Sequence, residues 1–533
     1  MRIGKCAGII AAVLLLTGAL GPHIAGAAAE EQAPQAGPEA TAPEHAGIYK
    51  KLLIRNAMVI YGNAEPPFGP ANVCVEGGRI AAVGRVPRGW VPDAVIDATG
   101  KYVMPGIINS HIHLQEARGG VPQPLQYELN LYLAAGATTV RDVGADWNKA
   151  KEWRALSNAG KLVAPRILLY ERIWASKGAH TAELIREGVR YAKAQGVDGL
   201  KAFAMDRDLA AALLDEAKKQ GLRTAVHIAV SETTAKDWAE LGVTSIEHFY
   251  GVADAALYGI QNFPPEHNAS NEIHRFGRAG ELYIQPNLNR KKLSEVLDLM
   301  IANNVTWSPT LSIYVASRDV IRAQNLPWYK DYLHPSMEQY FLPDLRNHGS
   351  YFLGWTNTQE VRWKKNYQVW MEALKEFGVK GGNIAVGDDA GFIYSLYGFG
   401  QVHEMELLEE AGFHPLEVIK MATVGGAKLV GMEDRLGKVR QGFIADLLVV
   451  NGNPVENLRI LNPYGTEVLT YDGKVIDNYS PVMPGDPKLE VVRGGGIEWT
   501  IKEGIPYHVP TLMKEVKAMV DEARAERDRA KKN

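Results

Sequence analysis

Between residues 105 and 430 the sequence alternates eight short, apolar, β-rich runs with stretches of helical character. The runs are GIINSHIHL, ATTVRDVG, RILLY, DGLKAFA, RTAVHIAV, VTSIEHF, TWSPTLSIY and NIAVGDDAG. Between them lie segments such as AAALLDEAKKQ and ETTAKDWAELG, the latter ending on a glycine that suits a helix stop. Strands separated in this way by helices pair in parallel, and eight such units close into a barrel. The expected fold class is therefore α/β, with a (β/α)8 TIM-like barrel over 105–430. A barrel of this kind needs about 250 residues, so the chain carries extra material. Residues 250–280 and 318–370, rich in Trp, Tyr, His, Asn and Pro, are the inserts, expected to act as lids over the strand ends.

The flanking regions have a different texture. Residues 47–104 hold strand-like runs (LLIRNAMVI, ANVCVEGGRIAAVG, VIDAT, YVMPG), with a hairpin signal at Gly77-Gly78. Residues 431–490 return to such material in FIADLLVV and EVLTYDGKVIDN, with a turn at Asp472-Gly473. These two sets are expected to build one small β-sandwich from both ends of the chain. Residues 505–533 read as a charged C-terminal helix, either a surface element or a contact between copies in a homo-oligomer.

The first 29 residues read as a signal peptide. Arg2 and Lys5 precede an apolar run from Ala7 to Leu20, and Ala25-Gly26-Ala27 offers a small-residue cleavage site. The run falls short of the roughly 20 residues a spanning helix needs, so no membrane span is expected after cleavage. Export to the periplasm or the extracellular space follows, with residues 30–46, rich in Ala, Pro and Glu, as a disordered linker. Cleavage leaves Cys74 alone, so no intrachain disulfide can form, and a metal site must be built from His, carboxylate and Lys. The net charge of −3 carries no basic excess toward nucleic acid, which leaves a small molecule as the expected partner.

The densest chemical signal is His111-Ile112-His113. Residues i and i+2 of a strand face the same way, so both imidazoles point into one space at the active face of the barrel. His227 in AVHIA and His248 in SIEHF end the next strands to carry histidine, and Asp388-Asp389 ends the eighth run. Strand neighbours face opposite sides, so one of the two aspartates is expected at the site. Neither a phosphate-cradling G-x-x-x-x-G-K-[ST] nor a nucleophile elbow G-x-S-x-G is present.

In combination, VMPGIINSHIHL, ATTVRDVG, SIEH, GDDAG and DRLGKVRQGFIADLLVV resemble the amidohydrolase superfamily, in its imidazolonepropionase-like and prolidase-like branch. The resemblance runs from about residue 50 to 480. It implies a metal-dependent hydrolase of carbon–nitrogen bonds whose ligands are His111, His113, Lys201, His227, His248 and Asp389. It implies one or two divalent ions, zinc suiting the donors; the expectation here is two, bridged by a carbamate that carbon dioxide forms on Lys201. A metal-bridging hydroxide would attack the carbonyl, with Asp389 as catalytic base and then acid. The G-x-D-A-G pattern selects Asp389, and Asp388 departs from it, since a small hydroxyl residue is more usual there. His180 in SKGAH, Tyr250 and Tyr314 are the candidates for substrate contact. His403 and Glu404 resemble a family segment after the eighth strand, but the stretch reads as an amphipathic helix and they are not expected at the site. The expected reaction is amide hydrolysis of a dipeptide or N-acyl amino acid. The alternatives are a mononuclear cyclic-amide hydrolase or deaminase, and a metal-free scaffold protein.

Overall fold

The computed structural model describes residues 49–532, apart from 145, 174–179, 231, 260, 269–270, 347 and 477–484. The signal-peptide and linker segments lie outside the described residues.

The eight runs form eight strands: Ile107–Ile112, Ala137–Asp142, Arg166–Ile173, Gly199–Phe203, Arg223–His227, Ser245–Glu247, Thr306–Ser308 and Asn383–Ile384. They pair in parallel and in sequence order. The backbone just beyond the eighth strand meets the first: Ser110 N donates to Val386 O at 2.8 Å and Asp389 N to His111 O at 2.9 Å. These bonds close the sheet into the expected barrel. The intervening helices lay apolar faces against it, for example Ile185, Val189 and Ala192 of the helix Ala182–Gln195. That helix is capped by the Thr181 hydroxyl and stops where Gly196 takes a left-handed φ of 84°.

A second sheet draws strands from both chain ends. Lys51–Val59 pairs with Phe68–Glu76, which turns through Gly77-Gly78 into Arg79–Gly84. On the other side Tyr102–Pro105 links Lys51–Val59 to Leu447–Asn451, followed by Gly496–Lys502 and Ile505–His508. Leu52, Ile54, Val73, Val103, Leu447, Val449 and Trp499 pack together as its core. The C-terminal contribution thus continues past residue 490 to His508. The strands of EVLTYDGKVIDN, Thr466–Tyr471 and Lys474–Val475, do not enter this sheet; with Leu489–Gly494 they form a separate three-stranded one. The burial explains the difference. Leu447–Val450 is buried at every position, whereas Thr466–Tyr471 buries Thr470 alone and so has no apolar face to contribute.

The C-terminal helix, Val509–Ala530, buries Val509, Leu512, Met513, Val516 and Val520. Arg524 fastens it to the 318–370 insert, donating to Glu338 Oε1 at 2.8 Å and to Leu333 O at 2.9 Å. None of the helices among the described residues is long and apolar enough to cross a membrane.

Candidate active site

All six residues expected to bind metal line one cavity of about 670 Å³ at the carboxyl ends of the barrel strands. His111 leaves the first strand fully buried, and His113 follows it two residues on, facing the same space. Lys201 sits in the fourth strand and His227 ends the fifth. His248 and Asp389 stand just past the sixth and eighth strands, both with left-handed backbone, φ 63° and 48°. Non-glycine residues pay for that conformation, and it persists where the surroundings fix it. His248 N donates to Ser308 O at 2.9 Å, and Trp307 Nε1 donates to His248 O at 2.5 Å. Asp389 is held through its bond to His111 O.

One ligand atom each from His111, His248 and Asp389 lies within 4.8 Å of the others. Asp389 Oδ1 is 3.0 Å from His113 Nε2 and 3.7 Å from His111 Nε2. The His227 and His248 rings are 4.6 Å apart, those of His111 and His248 4.9 Å. Burial pushes His111, His227 and His248 well below the usual imidazole range, and Lys201 and neighbouring imidazoles push the same way. The rings are therefore neutral near pH 7, the form that offers a lone pair. Burial also tends to raise Asp389, but His111, His113 and Lys201 outweigh it and keep the carboxylate ionised.

Lys201 is 2% exposed, and its Nζ has no hydrogen-bond partner among the described residues. Burial brings its pKa down to about 8. A buried, unpartnered amine that loses its proton readily is disfavoured as it stands and is chemically suited to carbamate formation. The donor set of imidazoles, a carboxylate and this lysine fits a divalent metal.

Sequence reasoning missed what supports these donors. Glu247, wholly buried, holds His111 Nδ1 at 2.6 Å through Oε2. Arg141, also wholly buried, donates to both Glu247 oxygens at 2.8 and 2.9 Å, and Ser245 Oγ donates to Oε1 at 2.5 Å. Burial would raise the Glu247 carboxyl, but Arg141, Lys201 and these hydrogen bonds hold it below the usual range. An ionised carboxylate only accepts, so Nδ1 of His111 carries the proton and Nε2 presents its lone pair to the cavity. Thr310 Oγ1 stands 2.6 Å from His248 Nδ1 and plays a comparable orienting part.

The remaining candidates divide. Tyr314 lines the cavity. Tyr250 is fully buried beneath it, its ring 5.1 Å from that of His227. His180 is exposed and does not line the cavity. Asp388 does not line the cavity; it is fully buried, and burial raises it to about 7. Glu404 is buried outside the cavity, accepting from Ser312 N at 2.7 Å. Both inserts reach the mouth: Glu272, Arg275 and Phe276 come from one and His348 from the other. Glu272 bonds His348 Nδ1 and accepts from Gly349 N at 3.0 Å, and Phe276 stacks on Tyr351 with centroids 4.0 Å apart. The inserts are thereby pinned together over the site.

The amidohydrolase family model matches residues 102–476. Matches to individual curated proteins are local. An allantoinase of Enterococcus faecalis is 39% identical over 70 residues, 13% of this chain and 14% of that protein. A D-hydantoinase of Streptomyces coelicolor is 34% identical over 98 residues, 17% and 20% of the respective lengths. The chain therefore aligns with well under two thirds of either relative. A Xaa-Pro dipeptidase solved with methionine in its active site superposes with a TM-score of 0.57 at 19% identity, covering 86% of this chain and 100% of that one. Bottromycin amidohydrolase gives 0.61 at 16%, covering 89% and 91%. At these identities the likeness is one of fold. Together with the barrel and its convergent donors, the match over most of the chain identifies a member of the amidohydrolase family.

Proposed function

We propose that the chain is a metal-dependent hydrolase that cleaves the amide bond of a small molecule, a dipeptide or an N-acyl amino acid. The observation that carries this is the convergence of His111, His113, Lys201, His227, His248 and Asp389 on one cavity. In this proposal the four histidines, Asp389 and a carbamate on Lys201 would hold two divalent ions. Metals held there would acidify a bound water so that it can attack at neutral pH, and would polarise the scissile carbonyl. The protein's own part is to move protons and hold groups in place. Asp389, kept ionised by its neighbours, accepts the proton of the attacking water and delivers it to the leaving nitrogen. Glu247 and Thr310 fix the rings of His111 and His248, so the donors need not reorganise. The pinned inserts narrow the mouth and limit bulk water around the reacting bond.

The similarity of solved dipeptidases supports the dipeptide class. The local matches to an allantoinase and a D-hydantoinase favour a second reading, hydrolysis of a cyclic amide at the same donors. Metal-loaded protein assayed against dipeptides, N-acyl amino acids and hydantoin rings tests both. Release of free amino acid from the open-chain amides, lost by ~10²-fold or more in Asp389→Asn, is expected. Ring opening alone would move the assignment to the second reading, and turnover of none of them would overturn it. Export belongs to the same proposal, and the mass of the mature N-terminus in the periplasmic or secreted fraction tests it.

A further inference from the structure

We propose that Arg172 is the anion anchor of the cavity and takes a free carboxylate one residue away from the scissile bond. The inference rests on the hydrolase assignment and names the residue that recognises the ionised carboxyl group such substrates carry on the leaving amino acid.

Arg172 is the penultimate residue of the third barrel strand, and its Cα pairs in register with that of Lys201 on the fourth. In-register neighbours on parallel strands are about 4.8 Å apart and project to the same side. Arg172 accordingly lines the cavity beside the donors. Its guanidinium lies against His113 across Gly144: a Cβ on Gly144 would stand 2.6 Å from Arg172 Nε and 2.8 Å from His113 Nδ1. The absence of a side chain at Gly144 gives both groups their room.

Among the described residues the Arg172 side chain takes part in no hydrogen bond or ion pair. Of the other charged groups nearby, Arg141, Arg275 and Asp389 each face a partner of opposite charge or a hydrogen-bonding group. Arg141 grips Glu247 with two hydrogen bonds. Arg275, the second arginine of the cavity, faces Glu272 at 3.8 Å, and Glu272 also serves His348 and Gly349. Asp389 is occupied by His113.

Chemistry narrows what Arg172 can do. A guanidinium stays protonated at any physiological pH, so it is neither a general base nor a general acid, and it repels a cation rather than ligating one. What remains is recognition of an anion, for which its planar fork of N–H donors matches a carboxylate. The reach agrees. One amino-acid residue spans about 3.5 Å, close to the spacing between the two strands, so a carbonyl at the donors leaves the next residue's carboxylate in front of Arg172.

The test compares an N-acyl amino acid with its carboxamide, which differs only in the charge. Wild type, Arg172→Met and Arg172→Lys are each assayed, with metal content per chain and melting temperature measured alongside. Wild type is expected to favour the carboxylate by ~10- to 100-fold in kcat/KM, chiefly through KM, the size of a hydrogen bond to a charged group. Arg172→Met should erase that preference while keeping its metal, and Arg172→Lys should retain part of it as a point charge without the fork. Equal rates on both compounds in wild type would overturn the proposal. So would an Arg172→Met protein that slows both alike or loses metal, since that makes Arg172 a support for the donors. Calorimetric binding of the carboxylate to wild type and not to Arg172→Met, without turnover of either compound, would keep the anchor and overturn the hydrolase assignment. Neither binding nor turnover would overturn both.

Discussion

Glu247 Oε2 lies 2.6 Å from Nδ1 of His111, and this contact spans the barrel between its first and sixth strands. The carboxylate belongs equally to Arg141, so one buried group sets the tautomer of His111 and neutralises an arginine inside the barrel. Glu247→Gln leaves the volume unchanged but removes the charge. Metal affinity is expected to fall ~10- to 100-fold, read by titration against a chelating dye. Stability should drop by about 3–5 kcal/mol, because Arg141 loses its counter-ion in the interior. Unchanged metal affinity would mean that His111 is oriented by something else.

Gly144→Ala tests the crowding at the donors. The added methyl would stand 2.6 Å from Arg172 Nε and 2.8 Å from His113 Nδ1, so one of the two must move. A displacement of this size at a reacting centre costs ~10²-fold in rate. The expected result is a loss of that order in kcat/KM with a melting temperature near wild type. Full activity in the variant would contradict the packing.

The pH dependence of stability has a traceable alkaline component in Glu404. Burial raises this carboxyl from 4.5 to about 8. Between those values the unfolded chain has released the proton and the native state has kept it, so stability falls as pH rises, and the effect levels off above pH 8. Glu404→Gln removes the titration while its side-chain oxygen can still accept from Ser312 N. Relative to wild type the variant should gain stability between pH 5 and 8, by at most about 1.4 kcal/mol per pH unit. Denaturant melts at several pH values read the difference directly, and a constant difference across the range would contradict the assigned cause.

How much of this was legible in the sequence depends on whether the information was local. The His111–His113 pair follows from strand periodicity alone, and the eight runs gave the barrel and its order. The family pattern selects Asp389 over Asp388, and Asp389 is the one of the two that lines the cavity. Glu247 escaped notice because the two partners that give it its role, His111 and Arg141, are 136 and 106 residues away in the chain. An acidic residue beside a histidine carries no periodic signal of that kind. Arg172 was hidden for the same reason, as its significance comes from register with Lys201 and from a bare glycine in the neighbouring loop. His180 followed a family segment into a loop, where side-chain direction is not fixed by periodicity, and the structure leaves it exposed. The second sheet was extended by Gly496–Lys502 and Ile505–His508, short strands whose alternation the adjoining glycines at 494–496 and 504 obscure.

The most direct test of the account is the metal content of the purified protein by elemental mass spectrometry, wild type beside Lys201→Ala. About two divalent ions per chain are expected in wild type, as in two-metal hydrolytic sites, and about one in the variant, with hydrolysis lost in step. A wild-type protein that takes up no metal on reconstitution, or a variant that keeps the full complement, would contradict it.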